Sequence, residues 1–258
     1  MKLNNVKQIN WYGMYYLSLR EIKRFLKVYH QTILGPMISA VLFLLIFSLA
    51  MKKNIDSPQN LNFIGYGIII MSIIQNSFAN SSSSLIMFKV LGYIIDILTP
   101  PLGSIEIILA FIIGSVVRAL LVGLSVAIAL AFFVNYKIHN LTFLLLFSIL
   151  GSILLSQFGI LSALIAKSFE QNTAFTNYFI MPLSFLSGTF YSIKNLSPMF
   201  QKFNLVNPFF YIIDGFRFGL TNYNDSNLAF GIMYLTILNL ILFVILNFLW
   251  QIGWNVKN

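Results

Sequence analysis

The sequence contains no cysteine and only two histidines, His30 and His139. Disulfides and thiolate-bound metals are therefore excluded, and a histidine-built metal centre is not expected. Charge is also scarce. Asp and Glu together number 7, and charged residues make up 9% of the 258, against roughly 25% in a soluble domain. No Gly-Lys dipeptide occurs, so the chain has no P-loop to cradle a nucleotide phosphate. No set of His, Asp and Glu gathers near one predicted membrane face to carry acid–base or metal chemistry, which speaks against a membrane-embedded enzyme.

Apolar residues dominate instead, at 58% hydrophobic and 16% aromatic. A soluble fold of that composition would lack the polar surface to stay in water. The net charge of +9 then points to a membrane setting rather than to nucleic acid. A spanning helix needs about 20 apolar residues, and six windows qualify: Ile33–Met51, Leu61–Ala79, Ile105–Val134, Leu141–Ala166, Thr173–Tyr191 and Leu228–Gln251. The expected fold is an all-α integral membrane protein. Residues 1–32 form a cytoplasmic amphipathic interfacial segment and residues 33–258 a six-span transmembrane domain. The basic stretch before the first window is too long for a signal-peptide n-region, so that window is expected to be a retained span. The third window is too long for one straight crossing and should tilt, break or start before the bilayer.

Nine of the sixteen Lys and Arg fall on the side of the N-terminal segment and six on the other, with Arg118 inside a span. This bias and the even span count place both termini in the cytoplasm. Within the first segment, Tyr15, Leu19, Ile22, Leu26 and Tyr29 share one helical face, and Arg20, Lys23, Arg24 and Lys27 the other. Such a helix suits the membrane–water boundary, with Trp11 and Tyr12 as anchors, and could also dock a cytosolic partner.

Two connecting segments carry more than a connector needs. Asn80–Ser104 opens on Ser81–Ser84, continues through Leu85-Ile86-Met87-Phe88-Lys89 and Asp96, and closes on Pro100-Pro101. It reads as a cytoplasmic loop holding a packed short helix or a re-entrant piece. Ser192–Asn227 holds seven aromatics from Phe200 to Phe218, too many for bulk water. It predicts two short helices, about Leu196–Phe203 and Pro208–Leu220, at the outer face, the second opening on a proline. Asp214 and Arg217 are spaced to pair on such a helix. Arg118 costs at least ~2.5 kcal/mol inside a span. It either snorkels to an interface or pairs with Glu106, Asp96 or backbone carbonyls, although Glu106 on the same helix is about three turns away.

The run Met181-Pro182-Leu183-Ser184-Phe185-Leu186-Ser187-Gly188-Thr189-Phe190-Tyr191 is followed by Leu196, Pro198, Asn207-Pro208-Phe209-Phe210-Tyr211 and Asp214-Gly215-Phe216-Arg217. This order resembles the hallmark stretch of the type-2 ABC exporter permeases. Asp96-Ile97-Leu98 with Pro101 resembles the family's acidic-leucine segment, although Ile95 stands where close relatives often carry a second acid. Val117-Arg118-Ala119-Leu120 matches a recurrent arginine of the next span. The resemblance implies a membrane permease subunit exporting a drug, lipid-linked or glycan substrate from a bacterial inner membrane. It implies two copies of this chain and two of a separate ABC ATPase, so ATP and Mg belong to the partner and this chain binds no cofactor.

Met87, Phe88, Lys89, Gly92, Asp96, Leu98 and Pro101 are then the expected ATPase-coupling residues. Gly188, Pro208, Asp214, Gly215 and Arg217 are the expected outer gate, with Gly188 permitting close helix approach. Gln75, Asn76, Asn177 and Ser184 in spans two and five are candidates to line the path, or simply to bond between helices. The alternative is an ion-gradient-driven secondary transporter or channel. It is disfavoured because no acid lies deep in a span.

Overall fold

The computed structural model describes residues 9–50 and 58–255. Lys2, Lys7, Lys52, Lys53 and Lys257 of the charge count, Met51 at the end of the first window and the C-terminal Asn258 lie outside them. The described chain is helical throughout, with no strand among the described residues. Helix α1 covers Trp11–Lys27. A π-helical turn, His30–Leu34, leads into α2, Gly35–Ala50. Then come α3 (Pro58–Val90), α4 (Ile95–Leu98), α5 (Ser104–Leu130) and α6 (Leu141–Ile165). After them follow α7 (Phe169–Phe175), a π-helical turn (Thr176–Ile180) and α8 (Met181–Leu186). Helices α9 (Pro198–Val206), α10 (Pro208–Thr221) and α11 (Leu228–Gln251) complete the chain.

Five helices among the described residues are long and apolar enough to cross a membrane: His30–Leu49, Leu61–Val90, Ser104–Leu130, Leu141–Ile165 and Leu228–Gln251. The fifth expected span is a composite instead. α7, the π turn and α8 run without a break from Phe169 to Leu186. The third span ends at Leu130 rather than Val134. α3 is the central rod, 72% buried over its most apolar window, whereas α2 and α11 are only 17% and 22% buried and face outward.

The largest departure from expectation is at Ser81–Ser84. These serines do not open a loop, because α3 continues through them to Val90. Ser81 Oγ and Ser83 Oγ have carbonyl acceptors, whereas Ser84 Oγ is buried without a partner among the described residues. Ser77 Oγ donates to the Ser152 carbonyl at 2.5 Å and Ser81 Oγ to the Ser156 carbonyl at 2.8 Å, both on α6. A Cβ on Gly159 would collide with the Phe78 carbonyl and Ser81, so only glycine allows this approach. Small residues thus stitch α3 to α6, as packing between membrane helices favours.

The bundle has two ends. At one, the α1 start, the α3 C-terminus, α4, the α5 N-terminus and the α6 and α11 C-termini meet, with Ser104 Oγ bonding Asn247 Oδ1 at 2.5 Å. At the other lie residues 131–140, the α8 exit, α9 and the turn before α11. This opposite end also receives α10, the second of the two short helices expected there. It is packed into the bundle, with eleven of its fourteen residues buried. It runs antiparallel to α6, with Gly219 against Leu144, Gly215 against the Phe147 ring and Ile212 against Gly151. Those contacts span ten residues from the α6 start, about 15 Å at 1.5 Å per residue. The helix therefore dips roughly halfway through a hydrocarbon core of about 30 Å. Glycines at 215 and 219 make that depth possible, because a side chain there would overlap α6.

Candidate coupling end and translocation face

At the basic end, α1 packs on α5 by a face the apolar periodicity did not mark. Leu17, Ser18, Glu21 and Phe25 are buried, while Tyr15, Leu26 and Tyr29 are exposed. The reason is Glu21. Its carboxylate is fully buried and bonded to Arg24 Nε at 3.2 Å and Arg20 Nη2 at 3.4 Å. Gly114 on α5 admits the Glu21 stem, since a Cβ there would strike it. Arg24 also donates to the Asn80 carbonyl and Oδ1 at 2.9 and 3.0 Å, and Asn80 Nδ2 to Ser115 Oγ at 3.2 Å. A polar seam thus joins α1, α3 and α5. The sequence signal for it was an acid, Glu21, isolated within a basic segment.

Arg118 extends this seam. It is 8% exposed and donates from Nη2 to Asn76 Oδ1 at 3.1 Å. It neither snorkels nor meets Glu106 or Asp96. Glu106 instead accepts from the Asn10 backbone N–H at 3.1 Å, anchoring the start of α1. Asn76, expected on the path, is the partner that makes Arg118 tolerable inside the bundle.

The expected coupling set divides in two. Met87, Phe88 and Lys89 sit on the last turn of α3, not in a loop. Lys89 Nζ donates to the carbonyls of Ala163, Leu164 and Ala166 at 2.8, 2.9 and 2.8 Å. It satisfies the orphan carbonyls at the α6 C-terminus, where a cation is also favoured by the helix dipole. Gly92, Asp96, Leu98 and Pro101 do lie in the connection that follows. Gly92 turns the chain at φ +77°, a conformation glycine adopts freely. Leu91, Tyr93 and Ile95 are 52%, 55% and 64% exposed there, beside exposed Asp96. Buried Ile97 pins α4 to the bundle from the other side.

Between α2, α3 and α8 lies a cleft of about 280 Å³. Ser39, Ser72, Gln75 and Asn76 supply its polar atoms, and Pro36, Phe43, Met181 and Phe185 its apolar walls. Gln75 Nε2 is buried with no partner among the described residues. Phe190 stacks on both Phe47, at 4.4 Å between centroids, and Phe185, at 5.6 Å. This aromatic stack was not read from the sequence, because Phe47 and Phe190 are 143 residues apart and look like ordinary core residues. Asn177 is exposed on the π turn. Ser184 is fully buried and donates to the Ile180 carbonyl at 2.6 Å, so it faces its own helix rather than the cleft.

At the opposite end, Asp214 and Arg217 do not pair. Asp214 caps the turn before α11, accepting from the Asp225 and Ser226 N–H groups at 2.8 and 2.9 Å and from Ser226 Oγ at 2.6 Å. Arg217 donates to the carbonyls of Gly188 and Thr189 at 2.9 and 3.2 Å, with its guanidinium 3.5 Å from the Phe63 ring centroid. Each charge thus has a backbone partner already, and the two point to different turns. Gly188 serves by its backbone conformation, φ +83°, which ends α8 and presents its carbonyl. Pro208 starts α10, and Asn207 before it donates to Ser187 Oγ at 2.7 Å. Gly215 provides close approach to α6. Outside the bundle, Lys194 meets Tyr223 at 2.9 Å and Asp225 at 3.3 Å. The hydrogen bonds it donates to Tyr223 and Asp225 raise its pKa.

A family model for the ABC-2 type transporter matches residues 12–221. The chain belongs to the ABC-2 type transporter family. The inner membrane transport permease YadH of Escherichia coli K12 is 32% identical over 228 residues, covering 86% of this chain and 89% of the relative. The YadH of Shigella flexneri matches to the same extent. The matched region of this ABC-2 permease runs from α1 through α10. The polar seam, the α4 connection and the inserted helix therefore all fall within it.

Proposed function

We propose that this ABC-2 permease is the membrane subunit of an inner-membrane exporter that works as a pair of identical chains, powered by a separate ATPase. ATP and Mg belong to that partner. Cargo is a drug, lipid-linked or glycan molecule, and both termini lie on the ATPase side, with residues 1–32 as a cytoplasmic interfacial segment.

The observation that carries the reading is the connection Leu91–Gly103. Three exposed apolar side chains around one exposed carboxylate have no partner within the described chain, and apolar clusters left outside a bundle mark contact surfaces. That connection joins α3, the central rod, to α5. Force applied there would move α3 and α5 together through the seam of Arg24, Asn80, Ser115, Asn76 and Arg118. α3 also lines the cleft holding Gln75 and faces the Phe47–Phe190–Phe185 stack. Tilting a rigid rod at one end shifts its other end, the usual basis of such coupling. The cleft opposite its copy on a second chain would form the path, with the aromatic stack and inserted α10 closing its outer part.

The test is co-purification with a co-expressed ABC ATPase. Asp96→Lys should insert normally yet recover far less ATPase, because loss of a desolvated interfacial charge contact costs ~2–5 kcal/mol. Equal recovery and unchanged transport would remove this connection from the coupling role.

A further inference from the structure

We infer that the groove between α1 and the end of α3 binds the headgroup of an acidic phospholipid. The groove holds about 580 Å³ and is lined by Arg20, Lys23, Arg24 and Lys27 over a floor that includes Val28 and Phe88. Four cations face it, and Glu21, fully buried beneath, answers only Arg20 and Arg24. Lys23 and Lys27 are exposed and have no hydrogen-bond or ion-pair partner among the described residues. Arg20 lies over the Phe88 ring at 4.5 Å, and its Nε is buried without a partner. Residues 1–8 and 256–258 carry no acidic side chain.

Depth selects a lipid over a soluble anion. The 33 residues of α3 span about 50 Å, some 20 Å more than the hydrocarbon core, so its last turns reach the headgroup zone. The same helix that walls the groove exposes Trp11, Tyr12, Tyr15 and Tyr16 at 57–82%. Trp and Tyr concentrate at that level of a membrane. A phosphodiester would sit among the cations, with its glycerol and upper acyl carbons on Val28 and Phe88. This site goes beyond the export reading and does not depend on it.

The test uses the purified full-length chain in detergent. Native mass spectrometry would compare binding of phosphatidylglycerol and phosphatidylcholine with matched acyl chains. A basic residue near an anionic surface is worth ~1 kcal/mol. Lys23→Gln with Lys27→Gln should therefore cut the preference for phosphatidylglycerol on the order of 25-fold, while Lys23→Arg with Lys27→Arg keeps it. Both lysines are exposed, so an unchanged thermal midpoint is expected. Lys137→Gln with Lys202→Gln at the opposite end should leave the preference intact. An unchanged preference in the Gln pair, or an equal loss in the distant pair, overturns the site. Displacement of the lipid by inorganic phosphate at comparable concentration would make it a free-anion site. Loss of ATPase recovery without any change in lipid preference would make it a protein-docking groove.

Discussion

Arg217 shows how a charge is kept inside an apolar bundle. It is 3% exposed, yet its guanidinium has two carbonyl acceptors and an aromatic face. A planar guanidinium can stack on a ring and donate in its own plane at once, which a lysine ammonium cannot. Arg217→Lys is therefore expected to lose one hydrogen bond and the stack, costing ~1.5–3 kcal/mol. Thermal unfolding of the purified protein in detergent should show a clearly lower midpoint, and an unchanged midpoint would mean that these contacts contribute little. Lys89 follows the same logic with a different donor. Three carbonyls at one helix end need a compact tripod of N–H groups, and the ammonium supplies it.

At the element scale, α1 is held by one buried carboxylate. Glu21→Gln would leave the Arg20 and Arg24 guanidiniums facing a neutral amide beside α5. The cost should fall below the ~3–5 kcal/mol of breaking a fully buried pair, because Arg20 and Arg24 keep 38% and 24% of their side chains exposed. Hydrogen exchange should then rise along Trp11–Lys27 while α3 and α6 stay protected. Equal protection in α1 would show that Leu17 and Phe25 alone hold it. Inserted α10 rests on different physics, since its fit depends on the absence of side chains at Gly215 and Gly219. Its burial within the bundle follows from that fit to α6.

For the whole molecule, the missing cysteine makes accessibility readable residue by residue. Single cysteines at Phe209, Phe210 and Phe216, each under 5% exposed, should resist a membrane-impermeant thiol reagent. Cysteines at Lys137 and Lys202 should react from one side of the membrane only, and a cysteine at Lys23 from the other. Rapid labelling of all three α10 positions would remove α10 from the bundle interior. Labelling of Lys23 and Lys202 from the same side would overturn the two-ended arrangement.

Length and apolarity alone determined the membrane class and five of the six expected spans, because lipid requires every backbone group to be satisfied within a helix; dense aromatics with Pro198 and Pro208 marked the two short helices. The order of motifs from Met181 to Arg217, not composition, carried the family. Partner choice was not legible. Asp214 and Arg217 have helical spacing for a pair, yet backbone groups from two distant turns reach them first. Apolar periodicity in α1 pointed away from its packing face, because the decisive group there is a carboxylate whose cationic partners lie on the same helix. Ser81–Ser84 read as loop since serine hydroxyls compete with the backbone in water. Inside the bundle Ser81 finds its acceptor on α6, the Ser156 carbonyl, and α3 continues through the run to Val90. For Asp214, Arg217 and Ser81 the partner that decides the case comes from elsewhere in the chain, and only tertiary packing brings it within hydrogen-bonding reach.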